Sequence, residues 1–154
     1  MEELFVRKAT PNDMYPVIEL ITDLLSELDG SKAELDSESL SKVYAEFISN
    51  DNNRALIAFD HEKPVGVITV IQSIAIYAQG KYGIINEFYV LPEYRSRGVG
   101  KLLMEEAVKF GNDKNWRRIE VGAPDREKWQ RSIGFYVKEG FVEIGPRLKR
   151  VYKD

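Results

Sequence analysis

Asn86-Glu87-Phe88-Tyr89-Val90-Leu91-Pro92-Glu93-Tyr94-Arg95-Ser96-Arg97-Gly98-Val99-Gly100-Lys101 is the stretch that decides how this chain is read. Its opening residues end a strand candidate, Tyr82 to Val90, since Phe, Tyr and Val favour extended backbone. Leu91 to Gly100 reads as a loop, and a helix follows with Val99, Leu102, Leu103, Ala107 and Phe110 on one face. A Gly-rich turn that opens directly into a helix leaves the first N–H groups without intrahelical partners. With the helix dipole these groups form an anion site, best suited to phosphate. Gly98 and Gly100 put no Cβ in the way of the anion, and Arg95, Arg97 and Lys101 add positive charge. Two familiar phosphate motifs do not fit. Lys101 precedes Leu102 where a Walker loop has Ser or Thr, and a dinucleotide fingerprint needs a third glycine. The loop by itself is equally compatible with a helix start that uses glycine for a tight turn.

Downstream lies Gly134-Phe135-Tyr136-Val137-Lys138-Glu139-Gly140-Phe141. A helix carrying Phe-Tyr stops at a glycine, and Phe141 opens a strand candidate. As plain structure, Phe135 is core, Gly140 is a C-cap and Tyr136 is an aromatic on a helix face.

Working outward, Leu4 to Lys8 is a short strand. Thr10-Pro11-Asn12-Asp13 starts a helix whose stripe is Val17, Ile18, Ile21, Leu24, Leu25 and Leu28. Ser37 to Ser49 is a second helix. Arg54–Phe59, Val65–Ala78 and Tyr82–Val90 form an antiparallel meander, because their connections are hairpin-length. Arg117–Gly122 is a strand, about Asp125 to Glu139 a helix, and Phe141–Ile144 and Leu148–Tyr152 are closing strands. Strand–helix–strand units in the second half require some parallel pairing. The expected fold is α/β, a mixed and mostly antiparallel twisted sheet of about six to seven strands with about four helices on its faces.

The chain has 154 residues, 44% hydrophobic and 31% charged, and no Pro/Gly/Ser-rich linker, which suits one soluble domain over 1–154. It has no cysteine, which removes disulfides, thiolate metal sites and a cysteine nucleophile. The one histidine, His61, lies in a turn-like run, so no multi-histidine metal site exists. A net charge of −3 argues against non-specific nucleic-acid binding. The longest apolar-rich stretch, Val65 to Ala78, is broken by Thr69, Gln72 and Ser73 and is too short for a membrane span. The opening residues lack a signal-peptide pattern, and cytoplasmic residence is the expectation.

Taken together, the two motifs resemble the GNAT acetyltransferase superfamily. Its acyl-CoA loop, Arg/Gln-x-x-Gly-x-Gly/Ala, is matched by Arg95, Gly98 and Gly100. Its C-terminal signature, Phe-Tyr-x-x-x-Gly-Phe, is matched by Phe135, Tyr136, Gly140 and Phe141. The resemblance implies acetyl-CoA as co-substrate and transfer of its acetyl group to an amine. It implies that Phe88, Tyr89 and Val90 offer backbone groups to the acyl and pantetheine arm. Ser96, Arg97, Gly98, Val99, Gly100 and Lys101 would hold the pyrophosphate, and Tyr136 would protonate the departing thiolate. Family members often carry Asn and Ala where this chain has Trp129 and Ser132, so the pantetheine contact of that Asn is not carried over. Glu87, beside the implied acyl site, is the candidate base, with a plain sheet-edge carboxylate as the other reading. A bulge in its strand, common in the family, would shift the alternation around it.

The acceptor is read as a small-molecule or peptide amine. Glu27, Asp29, Glu34, Asp36 and Glu38 against Lys32 would suit a cationic one, or would be no more than a solvated acidic loop. A homodimer is compatible with the family. The alternatives are a non-catalytic acyl-CoA-binding regulatory module, and a transferase acting on protein lysines or N-termini.

Overall fold

The computed structural model describes residues 3–29, 36–122, 130–145, 148 and 150–152. The part up to Glu120 forms one compact unit and the part from Val121 a second. In the first, β1 (Leu4–Lys8) leads through a 3-10 turn (Pro11–Asp13) into α1 (Met14–Asp29). Then come α2 (Ser37–Ser49), β2 (Arg54–Asp60), β3 (Lys63–Ala75), β4 (Gly80–Val90), a second 3-10 turn (Pro92–Tyr94) and α3 (Val99–Asp113). The sheet order is β1-β2-β3-β4-β5, with β5 at Ile119–Val121. β1 to β4 pair antiparallel. Lys81 O accepts from Arg117 and the Gly83 N–H donates to Arg118 O, so numbers rise together on both strands, as in a parallel pair.

Alternation along β2 and β3 decides which residues meet which helices. Ala55, Ile57, Phe59 and Val67 face α1 and α2, forming a core with Val17, Leu20, Tyr44 and Tyr89. On the other face α3 buries Val99, Leu103, Met104 and Ala107 almost completely. Val99, Leu103 and Met104 each contribute about 1.5–3 kcal/mol. Gly66 sets how closely α3 approaches: a Cβ there would stand 3.1 Å from Leu103 Cδ1 and 3.2 Å from Val99 Cγ1.

The start of α1 is held by a capping box. Asp13, almost wholly buried, accepts from the Thr10 N–H and hydroxyl and takes a bidentate pair from Arg7 at 2.7 and 3.0 Å. The Arg7 guanidinium holds the Asp13 carboxyl at about 2, below its usual 3.8. The stability this gives is present above the unfolded value and is lost as pH falls through about 2. Asp13→Ala should cost about 2 kcal/mol, read as a lower urea midpoint at pH 7. The gap from wild type should narrow as the pH approaches 2.

Two expectations are corrected. The described residues hold five strands rather than six to seven. Phe141–Ile144 is not a strand, and neither are the described residues of Leu148–Tyr152. The reason at Phe141 is local. The chain leaves α4 (Gln130–Lys138) through Gly140 at φ +94, the Phe141 N–H returns to Tyr136 O at 3.0 Å, and its ring packs on Tyr136. Phe141 therefore closes the helix instead of opening a ladder. The helix expected from Asp125 is described only from Gln130. Trp129, Lys32 and Glu34 lie outside the described residues. Among the described residues no helix is long and apolar enough to cross a membrane.

Candidate functional site

The site grows from the far end of β4. A bulge interrupts its ladder with β3: Thr69 faces Glu87 but Val70 faces Ile85, which leaves Asn86 as the extra residue. Beyond it the register is regular, with Ile68 opposite Phe88, Val67 opposite Tyr89 and Gly66 opposite Val90. Glu87 and Tyr89 thus share the face of α1 and α2, and Phe88 and Val90 the face of α3.

The Leu91 N–H donates to Val65 O at 2.9 Å. Antiparallel alternation then turns the main-chain groups of Tyr89 toward β3 and those of Phe88 and Val90 toward the opposite edge. β5 has three residues against eleven in β4 and pairs near the start of it, so this edge runs on past β5. One carbonyl on it is already used: Val90 O accepts from Arg95 Nε at 2.9 Å.

Arg95 is therefore a strut. A second nitrogen of its guanidinium donates to Glu27 of α1 at 2.8 Å, and the group stands 5.3 Å from the centre of the Tyr89 ring. Its charge is paired with Glu27. Burial, reinforced by Glu27, pushes the Tyr89 phenol up to about 12. Tyr94 fixes the other side of the turn: nearly buried, it donates to Asp60 at the end of β2 at 2.6 Å. That bond, with those from the Glu3 N–H and His61, holds Asp60 at about 2. His61 itself is an exposed turn residue at φ +55.

Between these struts the loop is open. Ser96 and Gly98 adopt left-handed conformations at φ +65 and φ +86, and Gly98 is the N-cap of α3. An added Cβ at Gly98 meets nothing within 4 Å, so the backbone angle, not crowding, selects glycine. Val99 turns inward while Ser96, Arg97, Gly98 and Lys101 are exposed and Gly100 is half-buried. The Arg97 guanidinium lies 5.0 Å from the Tyr94 ring centre. The arrangement is that of a helix start able to receive an anion.

Glu87 is held by Thr69. The Thr69 hydroxyl accepts from the Glu87 N–H at 3.0 Å and donates to Glu87 Oε1. The sequence reading treated Thr69 as a break in an apolar run. A lone hydroxyl inside Val65–Ile71 was the signal that could have found it. The pairings of Glu27 with Arg95 and of Asp60 with Tyr94 have no local sequence signal, since the partners lie far apart in the chain. Of the acidic run, Glu27 pairs with Arg95, Asp36 caps α2 by accepting from the Glu38 N–H and the Ser39 hydroxyl, and Glu38 lies 3.5 Å from Lys42.

The second unit places Tyr136 on α4 between Phe135 and Phe141, with ring centres 5.8 and 5.5 Å away. Burial pushes its phenol up to about 12.

The sequence pattern of the acetyltransferase (GNAT) family matches residues 18–141. Over 142 residues the chain is 26% identical to an aminoalkylphosphonate N-acetyltransferase of Salmonella typhimurium, covering 90% of this chain and 84% of that protein. It is 24% identical over 117 residues to an N-acetyltransferase of Archaeoglobus fulgidus, covering 75% and 79%. Among solved structures, a predicted acetyltransferase with acetyl-CoA from Clostridium acetobutylicum superposes with a TM-score of 0.81 at 18% identity, covering 97% of this chain and 96% of that one.

Proposed function

The chain belongs to the GNAT acetyltransferase family and is an acyltransferase, and we propose that it moves an acetyl group from acetyl-CoA to a primary amine by direct attack in a ternary complex. The observation that carries this reading is the left-handed Gly98 at the start of α3, close in sequence to a β4 edge that outruns β5. Backbone N–H groups from Ser96 to Lys101, with the charges of Arg97 and Lys101, would take the pyrophosphate. Phe88 and Val90 would meet the pantetheine arm as an added strand does. The reading takes 1–154 as a single acetyltransferase domain and the compartment as cytoplasmic.

A primary ammonium has a pKa of about 10.4, so freeing its lone pair at pH 7 costs about 4.6 kcal/mol. Glu87 takes that proton, directly or through a water. The amine nitrogen attacks the thioester carbonyl carbon, the C–N bond forms, the C–S bond breaks, and the second proton shed by the nitrogen passes to the departing thiolate to give the CoA thiol. Polarisation of the carbonyl by β4 backbone groups and a hydrogen bond from Tyr136 to the sulfur lower the barrier. The chain has no cysteine to carry an acyl intermediate.

The acceptor is read as a small cationic amine. The described residues Glu27, Asp36 and Glu38 of the acidic run have partners of their own. The test is CoA thiol release from acetyl-CoA with a panel of spermidine, kanamycin, thialysine, aminomethylphosphonate and a lysine-containing peptide. Release with one of the small amines, well above the rate without acceptor, is expected. Release with the peptide alone would move the enzyme to protein acceptors. Tight acetyl-CoA binding with no release on any amine would favour the non-catalytic regulatory module.

A further inference from the structure

We propose that Thr69 is a positioning residue for Glu87, an inference that rests on reading Glu87 as the base. Thr69 is 3% exposed and sits in a run of β3 whose neighbours are all apolar. Valine would suit that run equally well as a β-branched strand residue, so the hydroxyl is what distinguishes threonine there. A buried hydroxyl needs partners, and both of the bonds it makes go to Glu87. The bulge at Asn86 disrupts the ladder immediately before Glu87, and the Thr69 oxygen stands where a backbone carbonyl would otherwise receive the Glu87 N–H. The same hydroxyl donates to Oε1. One side chain thus fixes both the backbone and the carboxylate of the candidate base. With Oε1 held, Oε2 is the oxygen left to accept the amine proton. A base that swings freely loses near-attack geometry, and a displacement of about 1 Å can cost about a hundredfold in rate.

The experiment compares Thr69→Val, Thr69→Ser, Glu87→Gln and Thr69→Val/Glu87→Gln, using the panel amine that releases CoA fastest and thermal melting to verify folding. Thr69→Val should lower kcat by about tenfold or more while KM for acetyl-CoA stays within about twofold, because no cofactor contact is removed. Thr69→Ser keeps the hydroxyl and should stay within about threefold of wild-type kcat. In the Glu87→Gln background Thr69→Val should cost nothing further, since its effect runs through the carboxylate. Wild-type kcat in Thr69→Val, or an equal loss with and without Glu87, overturns the inference and leaves Glu87 as base. Wild-type turnover in Glu87→Gln removes the base reading itself, and this inference with it. Should Thr69→Val not fold, Thr69→Ala is read the same way. If neither hydroxyl-free variant folds, Thr69 is a folding residue and the positioning role is overturned.

Discussion

Tyr136→Phe should lower turnover by about 10²–10⁴-fold while leaving acetyl-CoA affinity within a few-fold of wild type. The phenol of Tyr136 is pushed up to about 12 by burial, so it remains protonated across the neutral range. A thiol has a pKa of about 8.5, so complete transfer of a proton from this phenol to a thiolate would be uphill by about 5 kcal/mol. The more favourable role is a hydrogen bond donated to the sulfur as the C–S bond breaks, which stabilises negative charge present only late in the reaction. Such an interaction raises kcat and contributes little to ground-state binding. The sign of the shift also sets a pH expectation. A raised phenol loses its proton only near 12, so turnover should not fall between pH 8 and 10 through Tyr136. Unchanged turnover in Tyr136→Phe removes the residue from this role.

The second large effect is expected at Gly98. Its φ of +86 lies where a side chain is strained, and an added Cβ finds no protein atom within 4 Å. Gly98→Val should therefore destabilise the protein through backbone strain, by about 1–2 kcal/mol, and also place methyl groups where a phosphate would approach. Gly98→Asn separates the two effects, because Asn tolerates the left-handed region. The Asn variant should melt close to wild type and yet bind acetyl-CoA at least about tenfold more weakly. Wild-type affinity in a folded Gly98→Asn would mean that the ligand does not approach this backbone.

Much of the fold was legible because helical stripes and apolar strand runs are distinct in the chain. The stripe Val17, Ile18, Ile21 and Leu24 and the buried face of α3 obey helical spacing, while β2 and β3 are continuous apolar runs, buried on both faces, set off by hairpin-length connections. The closing strand at Phe141 misled because the pattern cannot tell a strand start from an aromatic that folds back on its own helix. In the candidate site, the loop from Arg95 to Lys101 was visible as glycine spacing next to charge. The pairing of Arg95 with Glu27 was not, since the two residues lie far apart in sequence. Thr69 was hidden likewise: its partner lies on the next strand, and the pairing depends on a bulge that composition does not announce.

The central claim is that the turn into α3 receives the pyrophosphate of acetyl-CoA. Isothermal titration of acetyl-CoA into the wild type and into Gly100→Val tests it most directly, because no acceptor needs to be known. Gly100 is half-buried in the first turn of α3, and valine there should obstruct the N–H groups. Micromolar binding by the wild type, lost in a folded Gly100→Val, is the expected result. A folded wild-type protein that does not bind acetyl-CoA would contradict the claim.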